Sequence, residues 1–381
     1  MLRREGQDVD LELDGDQQAL ADSVRTVLRT TWPSTSLRAL VETGAGASEL
    51  FAALVLLDWP ALCIAEAFGG MGYGSVEAML VHEGCGAVAA AGPFFATTAL
   101  FAPVVAALGT GEQAGRWLPR IAAGEATGTA ALGELRRGDG LATVMAVAVP
   151  EGWRLDGTVR SVIDGADVAH IAVPASGEAG TQVFVVDSAV VRTEPVRSVD
   201  ASRRLATVTF DGVVVDAEAA LGTPGDPSTD ALLDRAADHA VTALAAELVG
   251  TCGTILHITL EHAREREQFG VKIGSFQALK HRLADAFVDL EAARASVRVA
   301  SMALAEDDPR RAVAASSAMA MAGDAAQRIT REGIQILGGI GFTWEHDMHL
   351  YVKRALGSSV LLGSPEHHRQ RVAELIGLVL A

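Results

Sequence analysis

Cysteine is scarce in this chain. Three thiols, Cys63, Cys85 and Cys252, lie far apart among 381 residues, and none falls in a CxxC pair or beside a histidine cluster. That excludes a disulfide framework and a structural zinc site, and predicts three buried thiols in a reducing cytoplasm. Aromatics are also few, at 5%. An alanine-rich, aromatic-poor interior suits closely packed helices better than a β-sandwich. Positive charge is in deficit: 31 Lys and Arg face 48 Asp and Glu, a net charge of -17. A nucleic-acid partner is excluded, because phosphate backbones need a positive face. An anionic ligand would need locally placed Arg, Lys or helix N-termini. Long apolar runs are missing too. Stretches such as Leu100–Gly109 are too short to span a bilayer. The opening MLRREGQDVDLELDGDQQ is charged and lacks the apolar core of a signal peptide.

What is present is a 49% hydrophobic chain, ample for a large core and long enough for two or three domains. Its texture changes twice. Residues 1–125 read as helices, with Leu20, Val24, Val27 and Leu28 at helical spacing and patterns over Ser75–Val88 and Thr97–Leu108. The cluster Phe68-Gly69-Gly70-Met71-Gly72-Tyr73-Gly74 marks a loop with demanding backbone angles. Residues 126–226 hold short β-branched runs: Thr143–Val149, Trp153–Leu155, Val168–Val173, Val183–Val186, Ala206–Phe210 and Val213–Val215. Turn pairs Asp156-Gly157, Asp164-Gly165, Ser176-Gly177 and Asp211-Gly212 separate them, which predicts a small antiparallel β domain. Residues 227–381 return to long helices over Thr229–Arg266, Gln277–Glu306 and Pro309–Leu337, the pattern of an up-down bundle. The predicted class is α+β: a helical N-terminal domain, an antiparallel β domain and a C-terminal four-helix bundle.

Two local sequences stand out. One is Arg266-Glu267-Gln268-Phe269-Gly270, followed by Ile273-Gly274-Ser275-Phe276-Gln277. The other is Gln335-Ile336-Leu337-Gly338-Gly339-Ile340-Gly341-Phe342. A guanidinium at a helix end can hold a diphosphate bidentately, and glycines let backbone approach a cofactor without a Cβ in the way. The bland alternative is a surface arginine and a helix-capping glycine pair. In order and spacing these sequences resemble the RxQFG…FQ and QxxGGxG signatures of the acyl-CoA dehydrogenases. Glu66-Ala67-Phe68-Gly69-Gly70 is similar to that family's EExGG loop, and Ser198-Val199-Asp200-Ala201-Ser202-Arg203 to its TxDxSR turn. The helix–β–helix order fits the same family along nearly the whole chain. The resemblance implies FAD lying across a subunit interface, flavin against one subunit's β domain and ADP against the neighbour. Carried over, Arg266, Gln268, Phe269, Gln277, Gln335, Gly338 and Gly339 would hold the ADP portion of a neighbour's FAD, so at least a dimer is implied.

The sequence also departs from the family. Its usual flavin loop, near TEPxxGSD, corresponds to Gly133–Gly140, and its WITN segment to Val159–Gly165, without the aromatic that covers the flavin. The usual catalytic glutamate falls on Leu362, and an alternative position on the long helix falls on Ala240. Both are apolar and cannot take a proton. Glu247 remains a candidate base: seven residues from Ala240, it shares that helix face in an apolar stretch. Burial would raise its pKa. Alternatively it pairs with an Arg or His from a neighbouring helix, or lies at the surface. His239, His257 and His262 form no constellation. His367-His368 lacks a third ligand, so no metal is expected.

The reaction that the resemblance implies is α,β-dehydrogenation of an acyl-CoA thioester. Retained trans elements, altered cis elements and an absent customary base resemble one subunit of a heteromeric acyl-CoA dehydrogenase. Such a subunit would work with a second acyl-CoA dehydrogenase-like chain on a bulky or steroid-type thioester, and pass electrons to an electron-transfer flavoprotein-type acceptor. Three rivals stay open: a self-sufficient homo-oligomer using Glu247, a non-catalytic scaffold, and a flavin monooxygenase on the same fold.

Overall fold

The fold, known from a computed structural model, is described for residues 11–133 and 144–378. Six helices come first: α1 (Gly15–Thr31), α2 (Ser34–Thr43), α3 (Ala47–Val55), α4 (Ser75–Ala87), α5 (Ala102–Leu108) and α6 (Gly111–Ala122). Their starts are chemically marked. Asp14 accepts from Gln17 N at 2.8 Å while Gln17 bonds back, and Thr110 and Gln113 form the same reciprocal cap on α6. A π-helical turn, Ala96–Phe101, leads directly into α5.

A sheet follows, with strands β1 (Gly128–Ala130), β2 (Val144–Val149), β3 (Gly152–Ile163), β4 (His170–Gly177), β5 (Gly180–Asp187), β6 (Arg192–Val196), β7 (Leu205–Val215) and β8 (Ala220–Leu221). The order is β6-β7-β3-β2-β4-β5-β8, with β1 beside β4. The sequence predicts an antiparallel domain; the sheet is mixed. β1 runs parallel to β4, and β2 meets β4 in parallel at Met145 and Ser176. Two expected turns are also corrected. Asp156-Gly157 lies inside β3 and Asp211-Gly212 inside β7, because both strands bulge there rather than reverse. The Asp156 carboxylate accepts from Gly212 N at 2.8 Å across the bulge.

The bundle contains α7 (Thr229–Glu265), α8 (Gln277–Ala305), α9 (Arg311–Leu337), α10 (Met348–Ser358) and α11 (Pro365–Leu375). By length and composition α7 could cross a membrane, yet 78% of its apolar window is buried inside the protein. It is the central helix of the core. Where α4 crosses α7 the backbones nearly touch. A Cβ on Gly86 would lie 2.0 Å from the Glu247 carbonyl oxygen, and one on Gly250 would lie 1.9 Å from that of Glu83. Thr251 Oγ1 donates to Gly86 O at 2.9 Å and Thr254 Oγ1 to Ala87 O at 2.6 Å, closing the crossing with side-chain bonds. All three thiols are free, but only Cys85 and Cys252 are buried. Cys63 is exposed, in the loop ahead of α4, where helical packing does not enclose it.

Candidate functional site

The up-down course of α7, α8 and α9 brings the end of α7, the start of α8 and the end of α9 to one end of the bundle. All seven motif residues lie there. Arg266 ends α7, and a two-residue turn at Phe269-Gly270 joins β9 (Glu267–Gln268) to β10 (Val271–Lys272). Phe269 and Gly270 both have positive φ, 55° and 75°, as this tight hairpin requires. The hairpin closes through Ile273 N to Arg266 O at 2.8 Å and a 2.9 Å Lys272–Glu267 ion pair. Gln277 opens α8; Gln335 sits on the last turn of α9, and Gly338 ends it at φ 67°. His262, near the end of α7, is held below the ordinary imidazole value by partial burial and by the charges of Arg266 and His346.

Arg266, Gln268, Phe269, Gln277, Gln335, Gly338 and Gly339 are all exposed. Phe269 is 91% exposed, yet its ring stands edge-on to Phe276 at 6.2 Å. A Cβ built on Gly338 or Gly339 meets nothing within 4 Å, so the glycines face open space. Exposed aromatics, amide side chains and a guanidinium at one end of the bundle suit stacking and bidentate hydrogen bonding to a polyanionic ligand.

The stretch that the resemblance sets against the flavin is different. The altered flavin loop, Gly133–Gly140, lies outside the described residues from its second position onward. The neighbouring described part, with Leu100, Val159, Ser161, Val162 and Leu362 among its walls, encloses a volume of only about 10 Å³. Leu362 is 2% exposed and Ala240 fully buried, so neither customary base position offers a polar group. Among the described residues no group of three or more His, Cys, Asp or Glu is placed to hold a metal ion. His368 Nε2 lies 3.0 Å from Leu362 O.

Glu247 is 2% exposed and forms an ion pair with Arg203. The partner comes from the turn before β7, a strand-side arginine rather than one on a neighbouring helix. Around it a buried charge network gathers. Arg203 lies 4.7 Å over the Phe95 ring. Asp200 accepts from Ser202 N at 2.9 Å. Arg354, 2% exposed on α10, lies 3.5 Å from Asp200, and donates to Ser202 Oγ at 3.2 Å and to the Ala90 carbonyl. Asp164 sits among the same charges, and burial pushes its carboxyl up to about 7. Neither Arg203 nor Arg354 is singled out by sequence reasoning. The signal available was the TxDxSR-like turn itself, together with an arginine inside the apolar pattern of α10.

The family description "Acyl-CoA dehydrogenase, N-terminal domain" matches residues 14–125, and "Acyl-CoA dehydrogenase, C-terminal domain" matches residues 232–377. The chain belongs to the acyl-CoA dehydrogenase family, whose members are FAD-dependent oxidoreductases. Among its relatives, acyl-CoA dehydrogenase IpdE2 of Mycobacterium tuberculosis is 33% identical over 359 residues, 94% of this chain and 96% of that protein. A chain of the ChsE4-ChsE5 complex of Mycobacterium tuberculosis superposes with TM-score 0.88 at 26% identity, covering 98% of this chain and all of that one. A chain of the Tcur3481-Tcur3483 steroid ACAD superposes with TM-score 0.84 at 30% identity, covering 95% and 98%. The first of these structures is by its name a complex of two chains, and the second carries a paired name.

Proposed function

We propose that this acyl-CoA dehydrogenase is one subunit of a heteromer with a second acyl-CoA dehydrogenase-like chain, to which it lends the ADP-holding half of an FAD site. The observation that carries this reading is the exposure of all seven motif residues at one end of the bundle, Phe269 at 91%. An aromatic that exposed on a tight, internally bonded hairpin is prepared for a partner's surface. The residues present fit the group: Arg266 would hold the diphosphate, Gln277 and Gln335 would read polar edges, and Gly338-Gly339 would allow close backbone approach. FAD, when bound, supplies a hydride acceptor for the β-hydrogen of the acyl-CoA while a carboxylate takes the α-proton.

On this reading the proton-accepting carboxylate comes from the partner. Glu247 is engaged by Arg203, and Leu362 and Ala240 carry no titratable group. The similarity to the Tcur3481-Tcur3483 steroid ACAD supports a bulky thioester substrate. An electron-transfer flavoprotein-type acceptor would take the electrons from the reduced flavin. The test is to purify the chain alone and together with its partner. A colourless chain alone, and a yellow complex that loses FAD on Arg266→Ala, is the expected result. A yellow chain active by itself would instead establish the homo-oligomer. A complex that keeps its FAD in the Arg266→Ala variant would favour the scaffold, and oxygen-dependent hydroxylation the monooxygenase.

A further inference from the structure

A second cavity, about 630 Å³, opens between α4, α5, α6 and the first turns of α7. That is within the size range of small-molecule sites, roughly 300–1,000 Å³. No residue of the Arg266–Gln277 or Gln335–Gly341 segments lines it. On α7 it uses Leu232, Arg235, Ala236 and His239. At ~100° per residue this stripe is about a quarter-turn round the helix from the one holding Ala240 and Glu247.

The walls are mainly apolar, with Trp59, Phe68 and Phe94 prominent; Tyr73, Ser75 and Thr98 add hydroxyls, and the imidazoles of His82 and His239 add ring nitrogens. His82 is 3% exposed, with the Phe94 and Phe95 rings 5.8 and 5.5 Å away. Neither His82 Nδ1 nor His239 Nδ1 has a hydrogen-bond partner in the protein. The His239 ring bonds instead to the backbone of Ala99. Buried polar atoms without partners are costly, about 1–3 kcal/mol each, and are normally met by water or a ligand.

We propose that this cavity binds a bulky, neutral, apolar molecule carrying a hydroxyl group, and that the hydroxyl hydrogen-bonds the imidazole edges of His82 and His239. The chemistry selects this class. Both rings are neutral at physiological pH, since burial lowers His82 to about 3 and His239 to about 4. A neutral His239 that donates to Ala99 presents a bare Nδ1 acceptor, so its ligand must donate. A ketone or ether oxygen cannot. A hydroxyl both donates and accepts, and so serves either tautomer of His82 as well. A carboxylate would have to shed its water beside aromatic rings with no spare cation, because Arg203 pairs with Glu247 and Arg235 with Asp307 at 3.1 Å. The site does not depend on the lent FAD half-site, so either proposal can fail without the other.

The test is calorimetric titration of the full chain with two fused-ring probes, 2-naphthol and 2-methoxynaphthalene, which differ in the donating hydrogen. The expected result is saturable binding of both, with 2-naphthol about fivefold tighter, the worth of one neutral hydrogen bond. His239→Phe, checked for native circular dichroism, should remove that preference and leave ether binding in place; His82→Phe serves as the independent second variant. Ala305→Trp, at the exposed rim, should weaken both probes without touching the imidazoles. Absence of saturable naphthol binding, equal affinity for the two probes, or a preference that survives both histidine variants would overturn the proposal, the last two meaning that only water meets the imidazoles.

Discussion

The Glu247 carboxylate and the Arg203 guanidinium form an ion pair with side chains only 3% and 4% exposed, joining the turn before β7 to the middle of α7. Removing one member of a buried pair leaves the other charge uncompensated. Glu247→Gln should therefore lower stability by about 3–5 kcal/mol, while an apolar replacement of both, Arg203→Met with Glu247→Leu, should recover most of the loss. Urea denaturation of the single and double variants checks this. Turnover of the assembled complex by the folded double variant decides separately whether Glu247 also serves as a base: normal turnover removes it from that role.

The exposed hairpin predicts the opposite balance. Phe269→Ser and Arg266→Ala touch groups outside the core, so each should change the isolated chain's stability by no more than about 0.5 kcal/mol. Both should lower the FAD content of the complex. Thermal melts paired with the flavin absorbance of the purified complex measure the two effects side by side.

The buried imidazoles give a pH dependence whose sign can be worked out. His82 and His239 stay unprotonated in the folded protein down to about 3 and 4, while the unfolded chain takes up both protons near the ordinary value of 6.5. Between those values the unfolded state binds more protons, so stability falls as pH is lowered, by about 1 kcal/mol per unit for each ring. Asp164, raised to about 7, works the other way: the stability it contributes is present at low pH and is lost as pH rises through 7. Two imidazoles outweigh one carboxyl. The urea midpoint should drop from about pH 6.5 to about pH 4.5, and His82→Phe should flatten that slope. Charges near these groups include Arg203 and Glu247, which the comparison leaves unchanged.

The α4–α7 crossing predicts a steric effect without a charge. Gly86→Ala and Gly250→Ala each place a methyl within 2.0 Å of a backbone oxygen of the opposite helix. Backbone cannot rotate away as a side chain can, so each should destabilise by about 1–3 kcal/mol or more. A melting temperature unchanged by either substitution would contradict this contact.

Helix positions were the most legible part of the sequence. Expected spans Gln277–Glu306 and Pro309–Leu337 became Gln277–Ala305 and Arg311–Leu337, because glycine, proline and acidic breakers are local signals. Strand details were harder. β1 and β8 span only three and two residues, too short for a periodicity to register, and two of the three Asp-Gly pairs expected as turns, Asp156-Gly157 and Asp211-Gly212, lie at a bulge, while Asp164-Gly165 makes the expected turn. The flavin-type motifs could be read because each is contiguous. Arg203, Glu247 and Arg354 meet only through tertiary contact between a sheet turn, α7 and α10. The cavity was invisible for the same reason: His82 and His239 come from α4 and α7 and share no sequence pattern.

The charge network has a consequence for how the molecule comes apart. Arg354 of the C-terminal part reaches the Ala90 carbonyl beside the first helices and the Ser202 hydroxyl beside the sheet, and Arg203 of the sheet holds Glu247 in the bundle. The three segments that composition separates are thus stitched through one buried cluster. Limited proteolysis should release no stable fragment, and chimaeras exchanging one segment with a relative should fold only if the residues matching Arg203, Glu247 and Arg354 travel together.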